Sequence, residues 1–250
     1  MAGKATKIPT ATILRLSIYH RYLQSLMERG TQVVSSAQLA NGTNVNAAQL
    51  RKDLSYFGRF GVRGVGYNVS KLLEQIKEIL GLGKSWNMAL IGAGNIGKAL
   101  LQHKHFENQG YNFVLVFDKA HYRVGREIIP GMKVQHVKNL KEAAHTIPID
   151  LAVLAVPASE AQEMANAVID AGINGILNFA PVRLKVPKHV ALQHVDFTTL
   201  LDTLTYALST KEKKEGRYST LEQEKKKISW KSHSSWPDQM INYSNLLVTK

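Results

Sequence analysis

The chain has 250 residues, of which 44% are hydrophobic, so it is long enough to bury a core as one large domain or two modest ones. It contains no cysteine, which excludes disulfides and zinc–thiolate sites. Its longest apolar run, residues 149–158, is much shorter than the ~20 residues of a membrane span, and its N-terminus has no signal-peptide pattern. We therefore expect a soluble, cytoplasmic protein that binds neither a membrane nor a metal.

The net charge of +13 is unevenly distributed along the chain. Residues 1–84 hold 12 Lys or Arg against 4 Asp or Glu, whereas residues 85–210 hold 11 against 10. A basic first third is typical of a surface that grips a polyanion such as DNA. Charge alone fits a merely soluble basic surface equally well.

The first third of the sequence predicts three helices. Apolar residues recur at helical spacing over residues 10–29 and stop at Gly30, a typical C-terminal signal. Ser35 or Ser36 is suited to cap a short second helix, and Asn46 to cap the third.

In the third helix, Leu50, Leu54 and Phe57 form one apolar stripe, which predicts a buried face. The polar side chains fall mostly outside this stripe, as in a recognition helix that reaches base edges and phosphates in the major groove. The candidates for DNA contact in this segment are Gln49, Arg51, Lys52, Ser55 and Tyr56.

A glycine-punctuated segment follows and predicts a tight hairpin with a basic tip. Its glycines permit positive φ angles, and Arg63 lies between flexible positions from which it can enter a narrow minor groove. Arg59 is the other basic candidate for DNA contact here. A dimerisation or linker domain with solvated charges remains an open alternative.

The sequence GAGNIG follows a predicted strand over residues 88–91. Gly92 turns the chain, Gly94 lets a pyrophosphate approach the backbone, and Gly97 lets the next helix pack on the strand. The phosphates are expected over the N-terminus of that helix, where free N–H groups favour anions. The cofactor-binding candidates of this loop are Gly92, Ala93, Gly94, Asn95, Ile96 and Gly97.

Asp118 closes the second predicted strand, 21 residues after Gly97. A carboxylate in this position accepts both ribose hydroxyls and favours NAD over NADP, because a 2′-phosphate would meet a negative charge. Arg123 lies five residues further on and could soften that preference.

Two more predicted strands, residues 151–156 and 175–179, alternate with a helix over residues 159–171, as a parallel α/β sheet requires. Open sheets bind ligands at the carboxyl ends of their strands. The pocket candidates at these ends are Ala155, Val156, Pro157, Asn178 and Phe179, each of which also fits simple core packing.

A last helix is predicted after residue 196. Asp196 is placed to cap it. Its apolar stripe consists of Leu200, Leu201, Leu204, Ala207 and Leu208.

The motifs RKDLSYFGRFGVRGVGYN, GAGNIG, VFD, LAVLAVP, ILNFAPV and VDF occur in this order and together resemble the Rex family of redox-sensing transcriptional repressors over about residues 8–210. The resemblance implies an α/β protein with a winged-helix DNA-binding domain, a Rossmann domain and a C-terminal domain-swapped helix. We place these at residues 1–82, 83–195 and 196–210. Residues 211–250 have no family counterpart, and their lysine-rich start without sustained periodicity predicts a disordered basic tail or a lineage-specific extension.

The resemblance further implies a homodimer that binds palindromic operator DNA and is released by NADH, with NAD competing for the same pocket. It places Phe197 near the partner's nicotinamide pocket and pairs Asp196 with the partner's Arg21 in the DNA-competent state. The family usually has a tyrosine near the end of the helix after the glycine loop, where this chain has His103. A histidine bordering the nicotinamide predicts pH-dependent sensing, while a plain surface role stays open.

Two other function classes compete with a repressor. A small NAD-dependent dehydrogenase needs a substrate domain, but only about ten helical residues follow the last predicted strand before the charged tail, so we expect no enzyme. A nucleotide-gated interaction module without DNA contacts stays open if the basic first third binds protein.

Overall fold

The computed structural model describes residues 8–214, which fall into two compact units that divide between His194 and Val195. The first unit carries the glycine loop and the basic first third, and the second unit carries the last helix. The domain boundaries predicted at residues 82 and 195 stay predictions.

The N-terminal part of the first unit is helical with a small sheet. Its elements are α1 Thr10–Glu28, β1 Val33–Val34, α2 Ser36–Gly42, α3 Ala47–Ser55, β2 Tyr67–Asn68 and α4 Val69–Ile79. Gly30 ends α1 with a φ of +74°, as its sequence position predicts. Of the two serines, Ser35 is the cap: it forms a capping box with Gln38. Asn46 caps α3 by accepting a hydrogen bond from the Ala48 N–H at 2.7 Å.

The core of this part lies where α1, α3 and α4 pack together. Leu50 and Leu54 are buried and Phe57 packs against the same core, so the predicted stripe of α3 is confirmed. β1 and β2 pair antiparallel, and a bridge between Val62 and Gly66 closes the hairpin that the glycines predicted.

A seven-stranded sheet forms the rest of the first unit, in the order β5-β6-β4-β3-β7-β8-β9. Its strands are β3 Trp86–Ile91, β4 Tyr111–Asp118, β5 Glu127–Ile129, β6 Met132–His136, β7 Leu151–Leu154, β8 Gly175–Asn178 and β9 Ala191–His194. The helices among them are α5 Asn95–Leu101, α6 His105–Asn108, α7 Leu140–Thr146 and α8 Ala158–Asp170. All neighbouring strands run parallel except the β5–β6 pair.

The strand order determines where a ligand fits. β3 pairs with β4 on one side and with β7 on the other, so the chain reverses direction across the sheet beside β3. Such a switch point opens a crevice at the carboxyl ends of the strands. The glycine loop and Asp118 both lie at this edge.

The second unit contains α9, Phe197–Lys214. Asp196 caps it by accepting hydrogen bonds from the N–H groups of Thr198 and Thr199, as predicted. The helix continues past the predicted end at residue 210, so residues 211–214 are helical rather than part of a disordered tail. The remainder of that predicted tail lies outside the described residues.

Candidate functional site

A cleft of about 540 Å³ opens at the carboxyl ends of β3, β4 and β7. Its volume falls in the range of small-molecule sites, roughly 300–1,000 Å³. Ten of the predicted cofactor residues line it: Gly92, Gly94, Asn95, Ile96, Asp118, Arg123, Ala155, Val156, Pro157 and Phe179. The fold therefore brings together residues that are up to 87 positions apart, counted from Gly92 to Phe179.

The three glycines of the loop serve different packing needs. Gly92 has a φ of +105°, and a Cβ there would lie 2.5 Å from the Ala155 carbonyl oxygen. A Cβ on Gly97 would collide with the Gly92 carbonyl oxygen, so only glycine lets α5 pack this closely on the loop. At Gly94 a Cβ would meet nothing within 4 Å, which leaves open space beside the backbone.

Asp118 is buried at the end of β4 and holds the glycine loop in place. Its Oδ2 accepts hydrogen bonds from the Ala93 N–H at 2.8 Å and from Arg123 Nη1 at 3.0 Å, and its Oδ1 accepts from the Ala120 N–H at 2.8 Å. Burial opposes ionisation of Asp118, but the two backbone N–H groups and the Arg123 guanidinium outweigh it and hold the pKa of Asp118 below its usual value. Asp118 is therefore a charged acceptor at neutral pH.

An ion pair at the mouth of the cleft was not predicted from the sequence. Lys119 Nζ lies 3.0 Å from Glu160 Oε1 and 3.8 Å from Glu163 Oε2. Both Lys119 and Glu160 line the cleft, one after β4 and the other in the first turn of α8. The position of Lys119 directly after Asp118 was the available sequence signal.

The other two loop candidates do not line the cleft. The Ala93 N–H is occupied by Asp118, and Gly97 is buried under the loop. Both act on the shape of the loop instead of facing the open space.

Asn178, one of the pocket candidates, makes its hydrogen bonds within the turn that follows β8. It is fully buried, and its amide nitrogen donates to the carbonyl oxygens of Ala180 and Val182, both at 3.0 Å. Its Oδ1 accepts from the Ala180 N–H, and its amide nitrogen also meets His194 Nδ1 at 3.1 Å. Because these contacts occupy the amide, Asn178 fixes the turn after β8 and does not line the cleft.

His103 was expected to border the nicotinamide. It is exposed on the turn after α5, where its Nδ1 accepts from the His105 N–H at 3.3 Å and its ring contacts Phe106. α5 has 7 residues and spans about 10 Å, so His103 lies at the end of the helix that is remote from the glycine loop. His103 does not line the cleft in the described part of the chain, and its place beside a nicotinamide stays a prediction.

The basic surface expected to bind DNA is formed by α3 and the hairpin after it. A second cavity, of about 600 Å³, opens between them and is lined by Arg51, Ser55, Arg59 and Arg63. Arg51, Lys52, Ser55, Arg59 and Arg63 are exposed, and Tyr56 is half-buried. Arg51 Nη1 donates to Ser36 Oγ at 3.1 Å, which holds its side chain beside α2.

Gln49 departs from the predicted DNA-contacting set. It is half-buried, and its amide nitrogen donates to Asp53 Oδ1 at 2.9 Å. Asp53 is fully buried and was missed in the sequence. Asp53 lies three residues after Leu50, on the apolar stripe of α3. A carboxylate on a buried helix face needs a paired donor, and this was the sequence signal for its ion pair.

A third cavity, of about 590 Å³, separates α1 from one face of β7, β8 and β9. Arg21 and His20 line it from α1, and His105 and Phe106 from α6. The opposite face of these strands is covered by α7 and α8. Parallel sheets normally have both faces covered, so this cavity marks a gap in the layer.

The apolar stripe of α9 is exposed in the single chain. Phe197 is 58% exposed, and Leu200, Leu201 and Leu204 are each more than half exposed. A row of large apolar side chains open to water is typical of a helix that packs against another protein surface.

Residues 8–214 contain neither a membrane-spanning helix nor a cluster of metal ligands. No helix there is long and apolar enough to cross a membrane. Among the same residues no three His, Cys, Asp or Glu side chains converge as a metal site would require.

Two family models match the chain. Residues 7–55 match the model described as "Putative DNA-binding protein N-terminus", and residues 83–182 match the one described as "CoA binding domain". The first covers α1 to α3, and the second covers β3 to β8.

Curated relatives match almost over their full length. The redox-sensing transcriptional repressor Rex of Syntrophobacter fumaroxidans is 50% identical over 82% of this chain and 98% of its own. Rex 1 of Thermotoga maritima is 43% identical over 82% of this chain and 97% of its own.

Solved structures agree with these relatives. RSP, a Rex-family repressor, is 37% identical to this chain. Its complex with β-NADH has a TM-score of 0.74 and covers 83% of this chain and 97% of that one. Its complex with β-NAD⁺ and operator DNA has a TM-score of 0.77 and covers 88% of this chain and 99% of that one.

These similarities confirm the predicted fold, a DNA-binding winged helix followed by a Rossmann domain. Because the relatives are named repressors, the similarities also confirm the prediction of a repressor over a dehydrogenase. With half of its aligned residues identical to a repressor that it matches almost end to end, the chain belongs to the Rex family of redox-sensing transcriptional repressors.

Proposed function

We propose that this repressor binds palindromic operator DNA as a homodimer and is released when NADH occupies its cleft, with NAD competing for the same place. The observation that carries the proposal is that the glycine cleft with Asp118 and the basic surface of α3 are built into one compact unit. The relatives named as redox sensors, and RSP bound to NADH or to NAD⁺ and operator DNA, support it.

The cleft suits the two halves of a dinucleotide. The open space beside Gly94 accommodates a pyrophosphate against the backbone, and the Asp118 carboxylate accepts ribose hydroxyls. Ala155, Pro157 and Phe179 offer an apolar wall for the nicotinamide end. Because Asp118 is charged, a 2′-phosphate is repelled, and NADH is preferred over NADPH.

The basic surface suits the two grooves of a duplex. Arg51 and Lys52 are exposed on α3, the helix that we assign to the major groove, with Ser55 beside them. Arg63 is exposed at the tip of the hairpin, which we assign to the minor groove. Arg59 and Tyr56 lie between the two and are assigned to the phosphates.

The dimer is proposed to form by exchange of α9. The apolar stripe of α9 is exposed, and a cavity separates α1 from the uncovered sheet face. If the partner's α9 packs into this cavity, both apolar surfaces are buried at once. In this arrangement the partner's Asp196 pairs with Arg21 in the DNA-competent state. The partner's Phe197 then comes near the nicotinamide end of the cleft.

The test uses the full chain and a palindromic duplex that it selects from a random-sequence pool. Binding to this duplex is measured by fluorescence anisotropy with NADH, NAD or NADPH added, and the same preparation is assayed for dehydrogenase turnover. We expect release by NADH, protection by NAD and no turnover. Failure to select any duplex, or release by NADPH as readily as by NADH, contradicts the proposal.

A further inference from the structure

Asp53 is a buried carboxylate in the middle of α3, and the proposed contacts with DNA make no use of it. Its side chain is 0% exposed. An ionised carboxylate is among the groups that are most costly to bury unless it is paired and hydrogen-bonded. Arg51 and Lys52, the side chains assigned to the major groove, directly precede it.

The carboxylate of Asp53 is surrounded by donors, most of them on α1. Arg15 donates through Nε to Oδ2 at 2.6 Å and through Nη2 to Oδ1 at 2.8 Å. The Thr12 hydroxyl donates to Oδ1 at 3.0 Å and the Tyr19 hydroxyl to Oδ2 at 2.9 Å. Gln49, on α3 itself, completes the set with the contact already described. Two-point pairing of arginine with a carboxylate is both strong and directional.

These contacts keep Asp53 charged. Burial would raise its pKa, but the hydrogen bonds from Arg15, Gln49, Tyr19 and Thr12 outweigh burial and lower the pKa of Asp53 to about 2. The Arg15 guanidinium is paired with Asp53 in the free protein.

The arrangement ties one point of α3 to three successive turns of α1. Thr12, Arg15 and Tyr19 lie three and four residues apart, so they form one row along α1 that converges on a single carboxylate. Rotation of α3 about its own axis, or sliding along α1, breaks several of these contacts together. The apolar stripe of α3 packs without such directional control, because hydrophobic contacts are non-directional.

We propose that Asp53 is a positioning residue for operator recognition, which locks the rotation of α3 against α1 and so presents Arg51 and Lys52 at one angle to the major groove. This inference rests on the proposed function. Base-edge contacts depend on angle, whereas phosphate contacts need only nearby positive charge. Loosening the lock therefore lowers affinity for the operator while affinity for unrelated DNA stays the same.

The test measures one ratio, the affinity for the selected palindrome divided by the affinity for a scrambled duplex of equal composition, at fixed salt. The variants are Asp53→Asn and the double variant Thr12→Val with Tyr19→Phe, whose two side chains are buried on α1 and do not face DNA. The matched control is Tyr22→Phe, which removes a hydroxyl of α1 that is not among the donors to Asp53.

We expect the ratio to fall by about tenfold or more in both test variants, with scrambled-duplex affinity not weakened and NADH affinity unchanged, and to stay constant in the control. An unchanged ratio in variants that retain the wild-type circular dichroism spectrum would show that Asp53 serves stability alone. If the Asp53→Asn variant bound the palindrome and the scrambled duplex more tightly by the same factor, Asp53 would act only through its negative charge. Either result overturns the inference.

Two provisions keep the test decisive. If Asp53→Asn does not fold, the ratio of palindrome to scrambled-duplex affinity is measured for the single variant Tyr19→Phe instead. This variant leaves the other contacts to Asp53 in place. If the wild-type protein selects no palindrome, the proposed function itself has failed, which is a different result from a selective wild type with equally selective variants.

Discussion

Asp118 and Arg123 act in opposite directions on cofactor choice. Asp118 Oδ2 already accepts from Ala93 and Arg123, so a ribose hydroxyl can use this oxygen only if Arg123 moves aside. We expect Asp118→Ala to weaken NADH binding and to narrow the gap between NADH and NADPH. Arg123→Ala should widen that gap by about tenfold, because it frees an acceptor for the ribose and leaves the carboxylate unpaired against a 2′-phosphate.

Calorimetry with both nucleotides on both variants checks this pair of shifts. Binding of the scrambled duplex in the absence of nucleotide serves as the control and should not change. A gap that moves in the same direction in the two variants would contradict the roles assigned to Asp118 and Arg123.

Arg51 should carry direct base readout. In the free protein its guanidinium is held by Ser36, and it exchanges this contact for a guanine edge or a phosphate on binding. If the target is a guanine, Arg51→Ala costs about 1–3 kcal/mol of operator affinity and relaxes preference at one base pair. Selection from a random pool with the variant measures this directly, and an unaltered consensus at unaltered affinity would rule out the assignment.

At the scale of elements, six helices (α1, α2, α3, α5, α8 and α9) and the central strands could be predicted because their signals are local, whereas α4, α6 and α7 were not predicted. The apolar stripe of α3, the cap at Asn46 and the stop at Gly30 each depend on neighbours in sequence. The antiparallel strand β5 and the edge strand β9 could not be predicted, since each is short and gains its stability from a neighbouring strand.

The site shows the same division between local and long-range information. The glycine loop and Asp118 follow a known spacing, so they were predictable. The pairing of Asp53 with Arg15 joins residues 38 positions apart on two helices, and no local pattern specifies it. The role of His103 stays a prediction, because its place at the end of α5 does not by itself say whether it borders a bound nicotinamide.

The contacts of Asp53 also predict how the α1–α3 packing depends on pH. The pKa of Asp53 is lowered to about 2 in the folded protein, against about 3.9 in an unfolded chain, so its stabilisation is present above about pH 4 and is lost as the pH falls towards 2. The full effect is about 2–3 kcal/mol, of which about 1 kcal/mol disappears between pH 6 and pH 3.

The difference in unfolding free energy between wild type and Asp53→Asn isolates this term from all other titrations. We expect this difference to be constant from pH 7 to pH 5 and to shrink below pH 4 in denaturant titrations. A difference that stays constant down to pH 3 would mean that the charge of Asp53 does not contribute.

At the scale of the whole molecule, the stripe of α9 should decide the oligomeric state. Leu204→Asp places a charge in the middle of the exposed apolar stripe, and burying it in a dimer costs far more than leaving it in water. Sedimentation should show a monomer that still binds NADH but has lost the operator, because one winged helix contacts only a half-site. The matched control Ser209→Asp, outside the stripe, should remain dimeric; a dimeric Leu204→Asp variant would exclude exchange through this face.

Control of the operator by NADH requires a definite amount of coupling. The dimer has a DNA-competent state and a state that is released from the operator. To move it from 1:99 to 99:1 between these two states, NADH must prefer the released state by ~10⁴, about 5.5 kcal/mol, which is ~100-fold for each of two sites. Linkage is reciprocal, so the operator must weaken NADH binding by the same factor by which NADH weakens operator binding. Titrations that follow NADH fluorescence, with and without saturating operator, measure the first factor, and anisotropy measures the second. In the Leu204→Asp monomer we expect NADH affinity to be independent of DNA. An NADH affinity that is equally independent of the operator in the wild-type dimer would mean that release does not pass through the cleft at Asp118.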